Sequence, residues 1–276
     1  MRNPFKRPGI LHRQGAGALP YARIAWEQAT AQAELHGALA AIGQRPDFTA
    51  LVFTEAAAFP SALYNEQLLC QPELEHAAQF EDAALRRHWV TAHLLLRHAL
   101  AAVTDMPAGS LKFSAEPCVR CGGPHGKPVL EPAGAQRRIH FSLSHAAGFA
   151  IAAIGSSRCG VDLEPRASIG RAELVARQLH PAEQKELDAL APPERAEEFT
   201  RIWTRKEALL KACGVGLSRG LDQVYAGVRP TSGQPDWRIL DGLLPGPLHW
   251  SAAVETPGDP QLIGIKLTEG WAKPRL

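Results

Sequence analysis

Trp203-Thr-Arg-Lys-Glu-Ala-Leu-Leu-Lys211 is the stretch from which the fold is read. It belongs to a helical pattern running from Arg195 to Cys213. A second such pattern, Ala83–Val103, contains Trp89-Val-Thr-Ala-His-Leu-Leu-Leu-Arg97. With Trp89 laid on Trp203, His93 falls on Glu207 and Arg97 on Lys211. Each pattern is followed by a glycine, Gly109 or Gly220, and then by extended runs. After the first helix these are Leu111–Ala115, Ile139–Leu143 and Phe149–Ile154. After the second they are Gln223–Val228, Leu248–Val254 and Gln261–Leu267. A helix followed by three strands, twice over, predicts an α+β chain of two similar halves meeting near residue 155. A cleft between such halves is a natural ligand site. The expected division is an N-terminal extension over 1–45, an N-terminal subdomain over 46–155 and a C-terminal subdomain over 156–276. Within the extension a basic tail precedes a helix over Ile24–Ile42, and Thr49–Phe53 reads as a short strand.

Bulk properties narrow the class. The 276 residues, 45% apolar and 21% charged, suit a globular chain with a sizeable core. The longest apolar stretches, such as Phe149–Ile154, have the length of a core strand, so no membrane span is expected. The basic N-terminus has no apolar block behind it, and the five cysteines are odd in number; both point to the cytoplasm. Net charge is +2 with Lys and Arg spread along the chain, which does not mark a nucleic-acid surface.

Four segments carry polar groups in chemically useful spacings. In Cys159-Gly-Val-Asp-Leu-Glu-Pro165, Val161 and Leu163 alternate with Asp162 and Glu164, so both carboxylates share one face of a strand. Such a pair fits a hard divalent cation, and it also fits an exposed strand face. Glu207 and Lys211 lie four apart on one helix face, as metal-site residues or as a surface pair. Phe141-Ser-Leu-Ser-His-Ala-Ala-Gly148 ends a strand with Ser144 and His145 and fits an anion cradle or a polar turn. In Cys118-Val-Arg-Cys-Gly-Gly-Pro-His-Gly-Lys-Pro128, Lys127 offers a point charge for phosphate. Cys118, Cys121 and His125 have zinc spacing, but no second Cys-x-x-Cys supplies a fourth ligand, and the loop reads as metal-free.

Gly-Lys-Pro, Phe-Ser-Leu-Ser-His, Gly-Val-Asp-Leu-Glu and Trp-Thr-Arg-Lys-Glu-Ala-Leu-Leu-Lys, in that order, resemble an Sfp-type 4′-phosphopantetheinyl transferase over residues 60–255. The resemblance implies two pseudo-twofold-related subdomains, each a helix on a small, mainly antiparallel sheet, with coenzyme A between them. It implies Asp162, Glu164 and Glu207 as magnesium ligands, and Lys211 on the coenzyme A phosphates. It implies Ser144 and His145 on the nucleotide 3′-phosphate, with Lys127 in the Gly-Lys-Pro turn. Among Arg86, Arg87 and His88, Arg87 is the candidate for the further basic contact. Glu73 and His76 stand near positions where some members have lysines. The implied reaction moves the phosphopantetheine of coenzyme A to a serine of an apo acyl or peptidyl carrier protein and releases 3′,5′-adenosine bisphosphate. Catalysis falls to Glu207, Lys211 and Asp162, and a monomer suffices. A magnesium-dependent phosphohydrolase and a non-catalytic coenzyme A or carrier-binding module are the alternatives.

Overall fold

The computed structural model describes residues 26–119, 121–131, 137–216, 220–227, 237–244, 246, 248–256 and 262–269. Helix α1 spans Gln32–Gly43 and follows strand β1, Trp26–Ala29. Strand β2 is Thr49–Glu55, helix α2 is Gln71–Ala77 and helix α3 is Ala83–Thr104. Strands β3 (Phe113–Ala115) and β4 (Pro128–Leu130) pair in a short hairpin. Strands β5 (His140–Ala146), β6 (Phe149–Gly155) and β7 (Cys159–Pro165) follow. The remaining elements are α4 (Ile169–Ala176), α5 (Pro181–Asp188), α6 (Pro192–Cys213), β8 (Trp237–Leu244), β9 (Leu248–Glu255) and β10 (Leu262–Leu267).

The α+β expectation holds, and its two long helices, α3 and α6, have 22 residues each. The Asp82 carboxylate caps α3 by accepting the amides of Ala84 and Leu85, which leaves fewer end donors unpaired. Leu94, Leu95, Ala99 and Leu100 of α3 are fully buried, with Leu35 and Leu39 of α1 in the same core. One sheet runs β1-β10-β2-β6-β5 and the other runs β7-β9-β8. β10 lies parallel between β1 and β2, so the last described strand returns to the first sheet. Residues 26–43, placed in the extension by sequence, thus contribute a strand and a helix to this first layer.

Three segments differ from their sequence reading. The basic tail, Ile24 and Ala25 lie outside the described residues. Over the described part of the helix expected at Ile24–Ile42, Trp26–Ala29 is instead a strand paired over two hundred residues away, and the helix starts at Gln32. Gln223–Val228 forms no strand over its described part, Gln223–Gly227. Its backbone groups are taken by side chains instead. Lys206 Nζ donates to the carbonyls of Leu221 and Val224, and the Ala226 amide donates to Glu183 Oε1 at 2.6 Å. The third strand of the second sheet is β8, which the sequence reading passed over. Gln261 lies outside the described residues, and the rest of its run forms β10.

Two contacts fix β7 in place. A Cβ on Gly160 would lie 2.0 Å from the Ala208 carbonyl oxygen and 2.4 Å from the Ala212 amide nitrogen. The glycine therefore allows α6 to sit directly on the strand. On the other side, Val161 N donates to Ser142 Oγ at 3.1 Å, and Leu163 N to Ser144 Oγ at 3.2 Å. Serines two apart on β5 match amides two apart on β7 and splice the two sheets without a ladder.

Candidate active site

The strand period puts Asp162 and Glu164 on one face of β7, and α6 brings Glu207 and Lys211 over them. Lys211 Nζ donates to Asp162 Oδ1 at 2.6 Å and to Ser144 Oγ at 3.2 Å. Ser144 Oγ in turn donates to Asp162 Oδ1 at 3.1 Å. With the Leu163 amide this makes one donated and two accepted hydrogen bonds, so the Ser144 hydroxyl is fully used. Asp162 Oδ2 is buried and accepts no hydrogen bond. Trp203 Nε1 donates to Glu164 Oε1 at 3.2 Å.

These carboxyls feel one another. Burial pushes the Glu207 carboxyl up to about 7, with the charges of Asp162 and Glu164 adding to it and Lys211 opposing. Burial and the Asp162 charge raise Glu164 as well, against the pull of the Trp203 hydrogen bond. Among the described residues, only Cys118, Cys121 and His125 already gather three ligand atoms tightly enough to hold an ion. The ligand atoms of the acidic trio do not all lie that close, as expected of like charges that repel one another.

A cavity of about 1060 Å³ opens beside the trio. Its size lies at the top of the range of roughly 300–1,000 Å³ for small-molecule sites. Both halves line it: His93 from α3, Leu143 and His145 from β5, and Leu210 and Lys211 from α6. Lys211 thus links the cavity to the acids. Partial burial and the positive charges of His93, Lys211 and His88 lower the His145 pKa, which favours neutral imidazole.

The remaining sequence candidates are placed differently. Lys127 lines the cavity, but its ammonium donates to the carbonyls of Cys159 at 2.8 Å and Ala212 at 3.3 Å. It ties β7 to the end of α6, and burial lowers its pKa. Ser144 does not line the cavity; its hydroxyl is spent on β7 and Lys211. Arg87 is exposed, stacks 4.7 Å over the Tyr64 ring and lines no part of this cavity. Arg86 is bound to Glu66 through both terminal nitrogens at 2.8 and 2.6 Å.

Sequence reasoning did not find the partners of two supporting residues, Glu73, which it noted only as standing near a family lysine position, and Lys206. Glu73, which lines the cavity, accepts Arg97 Nε at 3.0 Å and meets His93 Nδ1 at 3.0 Å. Lys206, beside Glu207 in the motif, is fully buried against Glu183 at 2.8 Å. Lys206 and Glu207 are consecutive on α6 and so do not share a face, which is why Lys206 turns to Glu183 while Glu207 stays with the acids of β7.

The model of the 4'-phosphopantetheinyl transferase superfamily matches residues 158–262. The chain is similar to the 4'-phosphopantetheinyl transferase HetI of Nostoc sp., at 30% identity over 180 residues, covering 63% of this chain and 73% of that protein. It is similar to 4'-phosphopantetheinyl transferase Sfp of Bacillus subtilis, at 26% identity over 172 residues, covering 58% of this chain and 72% of Sfp. It also matches 4'-phosphopantetheinyl transferase AcpT of Escherichia coli K12, at 30% identity over 133 residues, covering 47% of this chain and 58% of AcpT. The α+β fold and these matches together make the chain a transferase. The chain belongs to the 4'-phosphopantetheinyl transferase superfamily. Among the described residues, no helix is long and apolar enough to cross a membrane.

Proposed function

We propose that the cavity takes coenzyme A and that Asp162, Glu164 and Glu207 hold a magnesium ion near Lys211. The buried, unpartnered Oδ2 of Asp162 carries the metal assignment. A hard cation with oxygen ligands suits this donor set, and magnesium usually combines one or two carboxylates with substrate phosphates. Bound there, magnesium supplies charge neutralisation of the diphosphate and polarisation of the phosphoryl group.

The chain's own residues do the rest. A serine hydroxyl of an apo carrier protein attacks the β-phosphorus, and 3′,5′-adenosine bisphosphate leaves. Glu207, which lies with Asp162 and Glu164 beside Lys211, takes the serine proton. The Lys211 ammonium offsets charge on the leaving phosphate. His145, at the cavity, donates to the nucleotide 3′-phosphate. Ser144 acts through others by holding Asp162 and Lys211 in register. Lys127 holds the cavity wall by its two carbonyl contacts.

The test incubates the protein with coenzyme A and several apo carrier proteins, with magnesium or with excess chelator. One phosphopantetheine added to a carrier, only with magnesium, is the expected mass result. Transfer undiminished by the chelator removes the metal from the scheme. Transfer at the normal rate by Asp162→Asn removes the ligand assignment.

A further inference from the structure

The loop between β3 and β4 is a twelve-residue excursion, 116–127, and none of its described residues is buried. Val119, its large aliphatic side chain, is 58% exposed. Apolar packing therefore contributes almost nothing to its order. Its fold rests on backbone turns. Gly122 N donates to the Cys118 carbonyl at 2.7 Å, and Cys118 N donates to the Gly123 carbonyl at 2.8 Å. Gly122 has φ +74, the left-handed turn that lets the chain double back behind Cys121.

This doubling back brings Cys118, Cys121 and His125 together, with their ligand atoms all within 4.8 Å. Cys121 Sγ and His125 Nε2 are 3.0 Å apart. An ion at about 2.3 Å from each sulfur and about 2.0–2.1 Å from nitrogen sets tetrahedral ligand separations of about 3.5–3.8 Å. Small side-chain rotations reach those values. The Gly123 amide points at Cys121 Sγ, 3.4 Å away, as a donor that favours thiolate. The two thiols and one imidazole are soft and borderline ligands, unlike the all-oxygen donors of the acidic trio.

We infer that Cys118, Cys121 and His125 bind a zinc ion that orders the cavity wall, distinct from the carboxylate site. The sequence argued against zinc for want of a fourth ligand; among the described residues none joins the group. All three residues line the cavity, so the fourth position opens into it and takes a water. Binding releases the thiol protons and exchanges them for the metal. Two residues beyond His125, Lys127 makes its carbonyl contacts, and Gly126 N donates to the Glu116 carbonyl at 3.1 Å. The ion thus anchors the segment that carries Lys127.

The experiment measures metal content of the full chain, purified under reducing conditions without chelator or affinity metal. Elemental analysis is expected to find about one zinc per chain. Cys121→Ser combined with His125→Ala should lose it, while Asp162→Asn should keep it. Cobalt added to stripped protein should give a thiolate-to-cobalt charge-transfer band and tetrahedral visible bands, both absent from the double variant. Zinc content unchanged in the double variant overturns the proposal. So does a zinc-free wild type that takes up no cobalt, or a Cys118–Cys121 disulfide that persists under reductant.

Discussion

Lys211 Nζ stands 2.6 Å from Asp162 Oδ1, and the corresponding place on α3 is filled by Arg97, whose Nε stands 3.0 Å from Glu73. Each long helix thus presents a cation, eight residues after its tryptophan, to an acid of its own half. In the first half the pair is structural, since Arg97 also bonds the carbonyls of Ala108 and Leu111. In the second half the cation remains partly open and lines the cavity. Lys211→Met should lower turnover by about 10²–10³-fold, the usual loss for one charge-stabilising group. The magnesium half-saturation should not rise, because the ammonium competes with the ion for Asp162. Initial rates across a magnesium series check both; a near-normal rate would remove Lys211 from catalysis.

Gly160→Ala tests how closely α6 lies on β7. The new methyl meets backbone atoms of Ala208 and Ala212, which no rotamer change relieves. A destabilisation of at least about 1–3 kcal/mol is expected, the usual range for overpacking. Denaturant midpoints measure it, and an unchanged midpoint would contradict the close approach.

Glu183 and Lys206 form a fully buried ion pair. Removing either partner leaves a buried charge, at a cost of about 3–5 kcal/mol. Lys206→Met alone should therefore destabilise strongly. Lys206→Met with Glu183→Leu should recover part of the loss, although the Ala226 amide loses its acceptor. Equal stability of the single and double variants would show no coupling.

Glu73 sets an acid limb of stability. Burial alone would raise its carboxyl, but hydrogen bonds from His93, Arg97 and the Cys70 amide outweigh that and bring it to about 2. The folded value lies below the unfolded one of about 4.5, so the stabilisation is present above that value. It is lost as pH falls from about 4.5 toward about 2. Glu73→Gln should be less stable at neutral pH and show a shallower fall over this interval. Thermal midpoints from pH 6 to pH 2.5, at about half-unit steps, compare the slopes; parallel profiles would refute the assignment.

Periodicity made the two helices and most of the inner strands legible. It also placed Asp162, Glu164, Glu207 and Lys211, because two-residue and four-residue spacings translate directly into shared faces. The crossing of β10 into the first sheet was not legible, since strand pairing is a long-range choice that local pattern does not encode. Nor could the sequence show Ser144 and Lys127 spent on neighbours, because hydrogen-bond partners follow from packing. Trp203 shows the same limit. Its helical spacing reads as a buried apolar side chain, while the indole nitrogen bonds Glu164.

Trp203→Phe separates orientation of the metal site from support of the fold. Phenylalanine keeps an aromatic ring beside Phe199, whose centroid lies 6.1 Å from that of Trp203. It removes only the Nε1 donor that fixes Glu164 Oε1 at 3.2 Å. A lost neutral-to-charged hydrogen bond of this kind costs about 1.5–3 kcal/mol at most, and less where water replaces the donor. Glu164 is only partly buried, so water can replace it and the thermal midpoint should fall little. The carboxylate, freed to rotate, should then hold magnesium less well, with a loss of about 10-fold or more. Saturating magnesium should restore turnover, because the substitution leaves Glu207 and Lys211 in place. A magnesium dependence identical to wild type would mean that Trp203 serves the core alone.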